Sequence, residues 1–178
     1  MHLGKLFKVL NITWSNTILS VLFFAGMLLT LAEISIYRLT FIALVYPVSI
    51  YLISGLLTTP FTSKLLSEHG NIRTIFMKII WNIVSCGGIV LYLLMASNFY
   101  YTKHNTTKTS FEIIGKGELA KGRYNCGEPY VEINYRGVTK QLIFPCDTKI
   151  EDKKTVKLSL ETGLWGYEII KSQELLNN

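Results

Sequence analysis

A chain of 178 residues, 49% hydrophobic, 17% charged and carrying a formal charge of +6, can hold either one mixed core or a membrane part joined to a small module. Eight of its thirty charged side chains precede Lys103, and the other twenty-two fall in the last 76 positions. A globular core mixes charge throughout, so a single soluble fold is excluded; the basic excess is dispersed, with Lys153-Lys154 as its longest run, which excludes a nucleic-acid surface.

The composition divides the chain into a membrane domain, residues 1–102, and a β-rich soluble domain, residues 103–178. Charge-free stretches run from Val9 to Ala32, Leu39 to Ser63 and Ile79 to Thr102. About 20 apolar residues in a helix cross the hydrocarbon core, where one charge costs about 3 kcal/mol. The stretches therefore predict three transmembrane helices, near 16–36, 40–59 and 79–100. Trp14 and Tyr37 bracket the first and Trp81 and Tyr100-Tyr101 the third, as interfacial aromatic rings do. Lys5 and Lys8 also precede the first run as they would in a signal peptide, but that run exceeds an h-region and has no small-x-small exit before Glu33. The expectation is a retained helix.

Lys5, Lys8, Lys64, Arg73 and Lys78 flank the amino terminus and second loop, against Arg38 alone in the first loop. Positive residues mark the cytoplasmic side, so the amino terminus is expected inside and the carboxy-terminal domain outside, in a cell (inner or plasma) membrane of bacterial type. Lys103, Lys108 and Lys116 run against this count, though long translocated domains escape the rule.

Pro47 predicts a kink in the second helix, its freed carbonyl met by a hydroxyl such as Ser49 or Ser54. In the third, Asn82, Ser85, Gly87 and Gly88 form a small, polar face that should pack against another helix, in the monomer or in a homo-oligomer. From Phe61 to Lys78 apolar and charged residues alternate, consistent with a short interfacial helix broken at Gly70-Asn71.

Beyond Lys108 the hydrophobic period becomes two, as in Val156-Lys157-Leu158-Ser159-Leu160 and Val131-Glu132-Ile133-Asn134-Tyr135. Strands are predicted at about 109–115, 117–123, 129–135, 138–144 and 155–161, with a sixth near 166–171, in a small barrel-like or bent-sheet domain. A hairpin turns at Arg136-Gly137. A two-residue loop sets Tyr135 opposite Val138 and Val131 opposite Leu142, whereas a three-residue loop sets Glu132 opposite Lys140. Either register brings Cys126 near Cys146, and outside the cytoplasm a disulfide there would contribute about 3 kcal/mol by restricting the unfolded chain. The alternative is a reduced, buried pair. Cys86 reads as a small packing residue of the third helix.

His2, His69 and His104 are the only histidines, and none falls inside the predicted strands, so no Ser-His-Asp or Cys-His constellation is expected. No phosphate loop, dinucleotide fingerprint, HExxH or EF-hand is present, and no catalytic residue, metal site or cofactor is expected. Among the aromatic residues of the soluble domain Tyr130, Trp165 and Tyr167 are the candidate partner contacts, Trp165 foremost because Gly163 and Gly166 flank it. These features predict a non-enzymatic membrane protein, surrounded by membrane lipids, whose extracytoplasmic β-domain binds a protein partner. It would be an accessory subunit of an envelope complex or an immunity-type inhibitor meeting a toxin at the membrane. The alternative is an oligomeric sensor-effector with a cytoplasmic β-domain that binds a small anion and permeabilises the membrane; an enzyme acting on a lipid or glycan ranks third.

Overall fold

The computed structural model describes residues 3–120 and 127–176, apart from the side chains of residues 3–15 and of His104. Three helical segments come first: α1 (Leu3–Leu39), α2 (Val45–Glu68), and a third made of α3 (Ile75–Asn82), a π-helical turn (Ile83–Gly87) and α4 (Gly88–Tyr100). Within them Asn16–Leu39, Val45–Glu68 and Ile75–Tyr100 are long and apolar enough to cross a membrane. Among the described residues six strands follow: β1 (Lys103–Glu112), β2 (Gly115–Glu118), β3 (Pro129–Tyr135), β4 (Val138–Ile143), β5 (Thr155–Thr162) and β6 (Glu168–Leu176). Two compact units result, Met1–Ile34 with Leu44–Ala96 and Ser35–Ala43 with Ser97–Asn178. The first interhelical connection thus belongs with the strands, although it lies more than sixty positions before them.

In the helical unit α2 starts five residues later and ends nine residues later than the 40–59 expected from the charge-free stretch. Its polar carboxy-terminal half stays helical because the hydroxyls bond within the helix: Thr58 and Thr59 donate to the carbonyls of Ser54 and Gly55, and Ser67 to that of Ser63. Pro47 does not kink the helix. It sits in the first turn, where its missing N–H would have had no intrahelical partner, and Pro60 is the proline in the helix interior. Nor does the segment after Phe61 form a separate interfacial helix. α2 continues to Glu68, and the break comes where Asn71 takes φ +53° and the Ile72 N–H closes onto Leu66 O.

The β unit is two three-stranded antiparallel sheets, ordered β1-β5-β6 and β2-β3-β4. Alternation assigns their faces: Val131, Ile133, Leu142, Val156, Leu158, Leu160 and Ile170 from both sheets, with Phe144 and Ile150, enclose one apolar core. The two-residue loop is the one formed. Arg136 and Gly137 both have positive φ, +50° and +83°, as a type I′ turn demands, and Tyr135 pairs with Val138. Glu132 therefore pairs with Gln141, which donates to its carboxylate at 2.9 Å, and the Glu132–Lys140 pairing of the three-residue loop does not occur. β1 begins at Lys103, so His104 lies inside a strand, contrary to the expectation that the sheet holds no histidine.

One insertion into this core comes from the start of the chain. Phe41, 5% exposed, joins the core cluster and packs against Tyr135 with the rings tilted at 42° and 4.6 Å between centroids. Its backbone is held by Phe41 N–H to Glu168 O at 2.8 Å and by a bridge between Thr40 and Ile169. The end of α1 is finished by side chains: Thr40 Oγ1 donates to Ile36 O, and buried Lys140 donates to Tyr37 O at 2.6 Å while lying over the Tyr37 ring. A cation at a helix carboxy terminus satisfies a leftover carbonyl and opposes the helix dipole, which accounts for a lysine on the inward face of β4.

Candidate functional site

The four small or polar residues singled out in the third helical segment come together inside the helical unit. Asn82, with no exposed surface, accepts from Thr62 Oγ1 at 2.9 Å and donates to Lys78 O at 2.8 Å. Ser85 donates to Trp81 O. Glycine is required at two of these positions, because a Cβ on Gly87 would strike the carbonyl of Tyr51 in α2, and one on Gly88 that of Gly26 in α1. Backbones thus approach within one chain on both sides of the third segment. Trp81, read as an interfacial ring, is instead buried and stacks on Phe23 at 6.4 Å. His69 lines a hollow of about 370 Å³ with Phe23, Trp81 and Asn71.

The β unit carries the more open site. β4 and β6 have one strand neighbour each and are the edges of different sheets. Residues 40 and 41 cover the first part of β6, while Ile170–Gln173 and Gln141–Ile143 border a groove of about 400 Å³ that also receives Ser35, Arg38 and Leu39. Gln173 ties the edges together by donating to Ile143 O at 2.6 Å. Among the described residues no acidic one lines the groove. Exposed Arg38 supplies its charge, since the Lys171 ammonium turns to Glu161 at 3.4 Å and to the face of Phe99. Such a slot presents strand-edge backbone, side-chain amides and a guanidinium.

Two groups nearby have displaced acidities. Hydrogen bonds from Thr102, aided by the charge of Lys171 and by Thr106, hold the Glu161 carboxyl below its ordinary value. Burial pushes the Tyr135 phenol up to about 12, reinforced by the neighbouring Glu168 carboxylate.

Of the three candidate partner residues, one lies in β3 and two in the β5–β6 connection. Tyr130 in β3 is half-buried with its ring over Gly117, and Tyr167 is half-buried after the β5–β6 turn. Trp165, 57% exposed, is in that turn. Cys146 is disulfide-bonded and Cys86 is free, while Cys126 lies outside the described residues. The groove was not legible from sequence, because its walls come from positions more than a hundred residues apart; Arg38 entered only as a topology charge. Among the described residues no group of His, Cys, Asp and Glu is arranged to hold a metal ion. Comparison with protein-family models, curated proteins and solved structures finds no match to this chain.

Proposed function

We propose that the chain is a non-enzymatic integral membrane protein whose β unit lies outside the cytoplasm and binds a protein partner, as an accessory subunit of an envelope complex or an immunity-type inhibitor. The observation that carries this reading is the groove between the outer strands of two sheets, bordered by the part of β6 beyond residues 40 and 41 and lined by Arg38 with no acidic side chain among the described residues. A partner strand laid along Ile170–Gln173 or Gln141–Ile143 would satisfy edge backbone groups, and an acidic side chain on it would meet the guanidinium. The disulfide at Cys146 supports an oxidising compartment, with Cys126 as the proposed other half. The three long apolar helices support the membrane setting.

A photoreactive residue at exposed Ser172, in whole cells, tests the reading. The expected result is a discrete protein adduct that is lost when Arg38→Glu is added and is absent when the probe is moved to Glu151. Equal adducts from both positions, or an adduct indifferent to Arg38, would contradict it. The same groove also favours the second reading, an oligomeric sensor-effector with a cytoplasmic β unit, because about 400 Å³ accommodates a small anion. The compartment of the β unit separates the two.

A further inference from the structure

The β5–β6 turn is built against the last turn of α4. Gly163 N–H donates to Tyr167 O and Gly166, at φ +86°, closes back on Gly163 O, so four residues reverse the chain. Trp165 N–H donates to Asn98 Oδ1 at 2.9 Å, Asn98 Nδ2 faces Tyr167 O at 3.4 Å, and the Trp165 indole N–H donates to Ser97 Oγ at 2.9 Å. Gly163 lies flat on Asn98, where any Cβ would collide with the Asn98 carbonyl.

The depth of that contact follows from the helix itself. Asn98 belongs to the apolar span Ile75–Tyr100 and sits two residues from its end. At 1.5 Å per residue it lies about 3 Å below the end of the span, within the headgroup and upper acyl layer of a bilayer. An amide at that depth needs partners. Asn98, 2% exposed, finds them in the turn's backbone, so amide and turn satisfy each other. The large side chains that the turn exposes are those of Leu164, 52% exposed, and Trp165, while Tyr100 at the end of the span and Tyr101 just after it are 68% and 70% exposed. Four large apolar or amphipathic side chains at the end of a span are the composition of an interfacial belt.

We propose that Leu164 and Trp165 insert into the headgroup–acyl boundary of the leaflet where the third helical segment ends, as a second membrane contact of the β unit. This rests on the membrane reading above, and it takes Trp165 out of the set of partner contacts. The lipid contact fixes the turn at the bilayer surface, so that the carboxy-terminal unit is held at two points, its helix and its turn.

The test uses the full chain in nanodiscs of phosphatidylcholine and phosphatidylglycerol. Subtracting the emission of a Trp165→Phe variant isolates the Trp165 signal from Trp14 and Trp81; the substitution leaves the backbone bond to Asn98 in place. The expected result is roughly twofold quenching of that signal by lipids brominated high on the acyl chain, with little response to iodide in the water. The double variant L164W/W165F, which moves the indole by one position, should be quenched by the same lipids. Quenching by iodide and indifference to brominated lipid, in a chain that still requires detergent for extraction, would overturn the inserted turn alone. A chain that stays dispersed without detergent would overturn the membrane reading and the turn with it.

Discussion

The two units of this chain are built with opposite interiors. In the β unit Val131, Ile133, Val156, Leu158 and Leu160 are buried, and charged side chains such as Lys171 and Glu174 face outward or part-way out. In the helical unit Asn82, Ser85 and Thr59 are buried, while Val21, Phe24, Leu28, Leu31, Ile53, Leu57 and Leu93 are exposed. Water would drive the second arrangement inside out; a hydrocarbon solvent makes it economical, because apolar side chains gain little by leaving lipid and polar ones must find each other. The difference teaches that the same residue types hold the two units together by different forces. One relies on apolar burial, the other on close backbone approach and internal hydrogen bonds.

That contrast can be attacked first at glycine. Gly88→Leu should separate α1 from the third helical segment and abolish a sharp melting transition of the detergent-solubilised chain, because the added side chain has backbone and Thr30 in its way. A melting curve like that of the wild type would show that the close approach is dispensable. Ile133→Ala, in the other unit, should cost about 2–5 kcal/mol by removing methyl groups from a fully enclosed site. The loss should appear as faster amide exchange in β3 and β4 with the helical unit unchanged, and equal acceleration in both units would deny their separate interiors.

Asn82→Ala should have a smaller effect, about 1 kcal/mol, since Thr62 keeps its bond to its own helix backbone when the amide acceptor is lost. A melting shift as large as that of Gly88→Leu would mean that the polar cluster, not the glycines, holds the helices. The smallest predicted effect is confined to alkaline pH. A phenol raised to about 12 in the folded state against about 10 unfolded stabilises the fold fully below pH 10 and loses that contribution as pH rises through 12. Wild type should therefore lose stability more steeply than Tyr135→Phe between about pH 10 and 12, measured by thermal unfolding. Parallel profiles would place the Tyr135 phenol in ordinary water.

Much of this layout was legible because charge-free runs and alternating strands leave regular marks in a sequence. Exclusion of charge from three stretches located the helical segments, and alternation with Arg136-Gly137 located the central hairpin while leaving two registers open, of which the structure forms the two-residue one. What escaped was long-range. Phe41 enters the β core, Lys140 reaches the end of α1, and Asn98 clasps the turn around Trp165, pairings separated by more than sixty residues that no local period encodes. The extension of α2 past Thr58 was hidden for another reason: hydroxyls that look loop-like in sequence bond to carbonyls three and four residues back. Among the site residues, the interior role of Asn82, Ser85, Gly87 and Gly88 follows from small size and from polarity within an apolar span, whereas the groove at Arg38 exists only after two sheets and a helix end have assembled.

The central claim is that lipid surrounds the first unit and that the second unit stands on the far side of it from the cytoplasm. The direct measurement is alkylation of Glu151→Cys, in an exposed turn of the β unit, by a membrane-impermeant thiol reagent applied to intact cells or spheroplasts. Labelling without lysis, on a chain that remains in the membrane fraction at high salt, is the predicted result. Labelling that appears only after lysis would put the β unit in the cytoplasm and contradict the account.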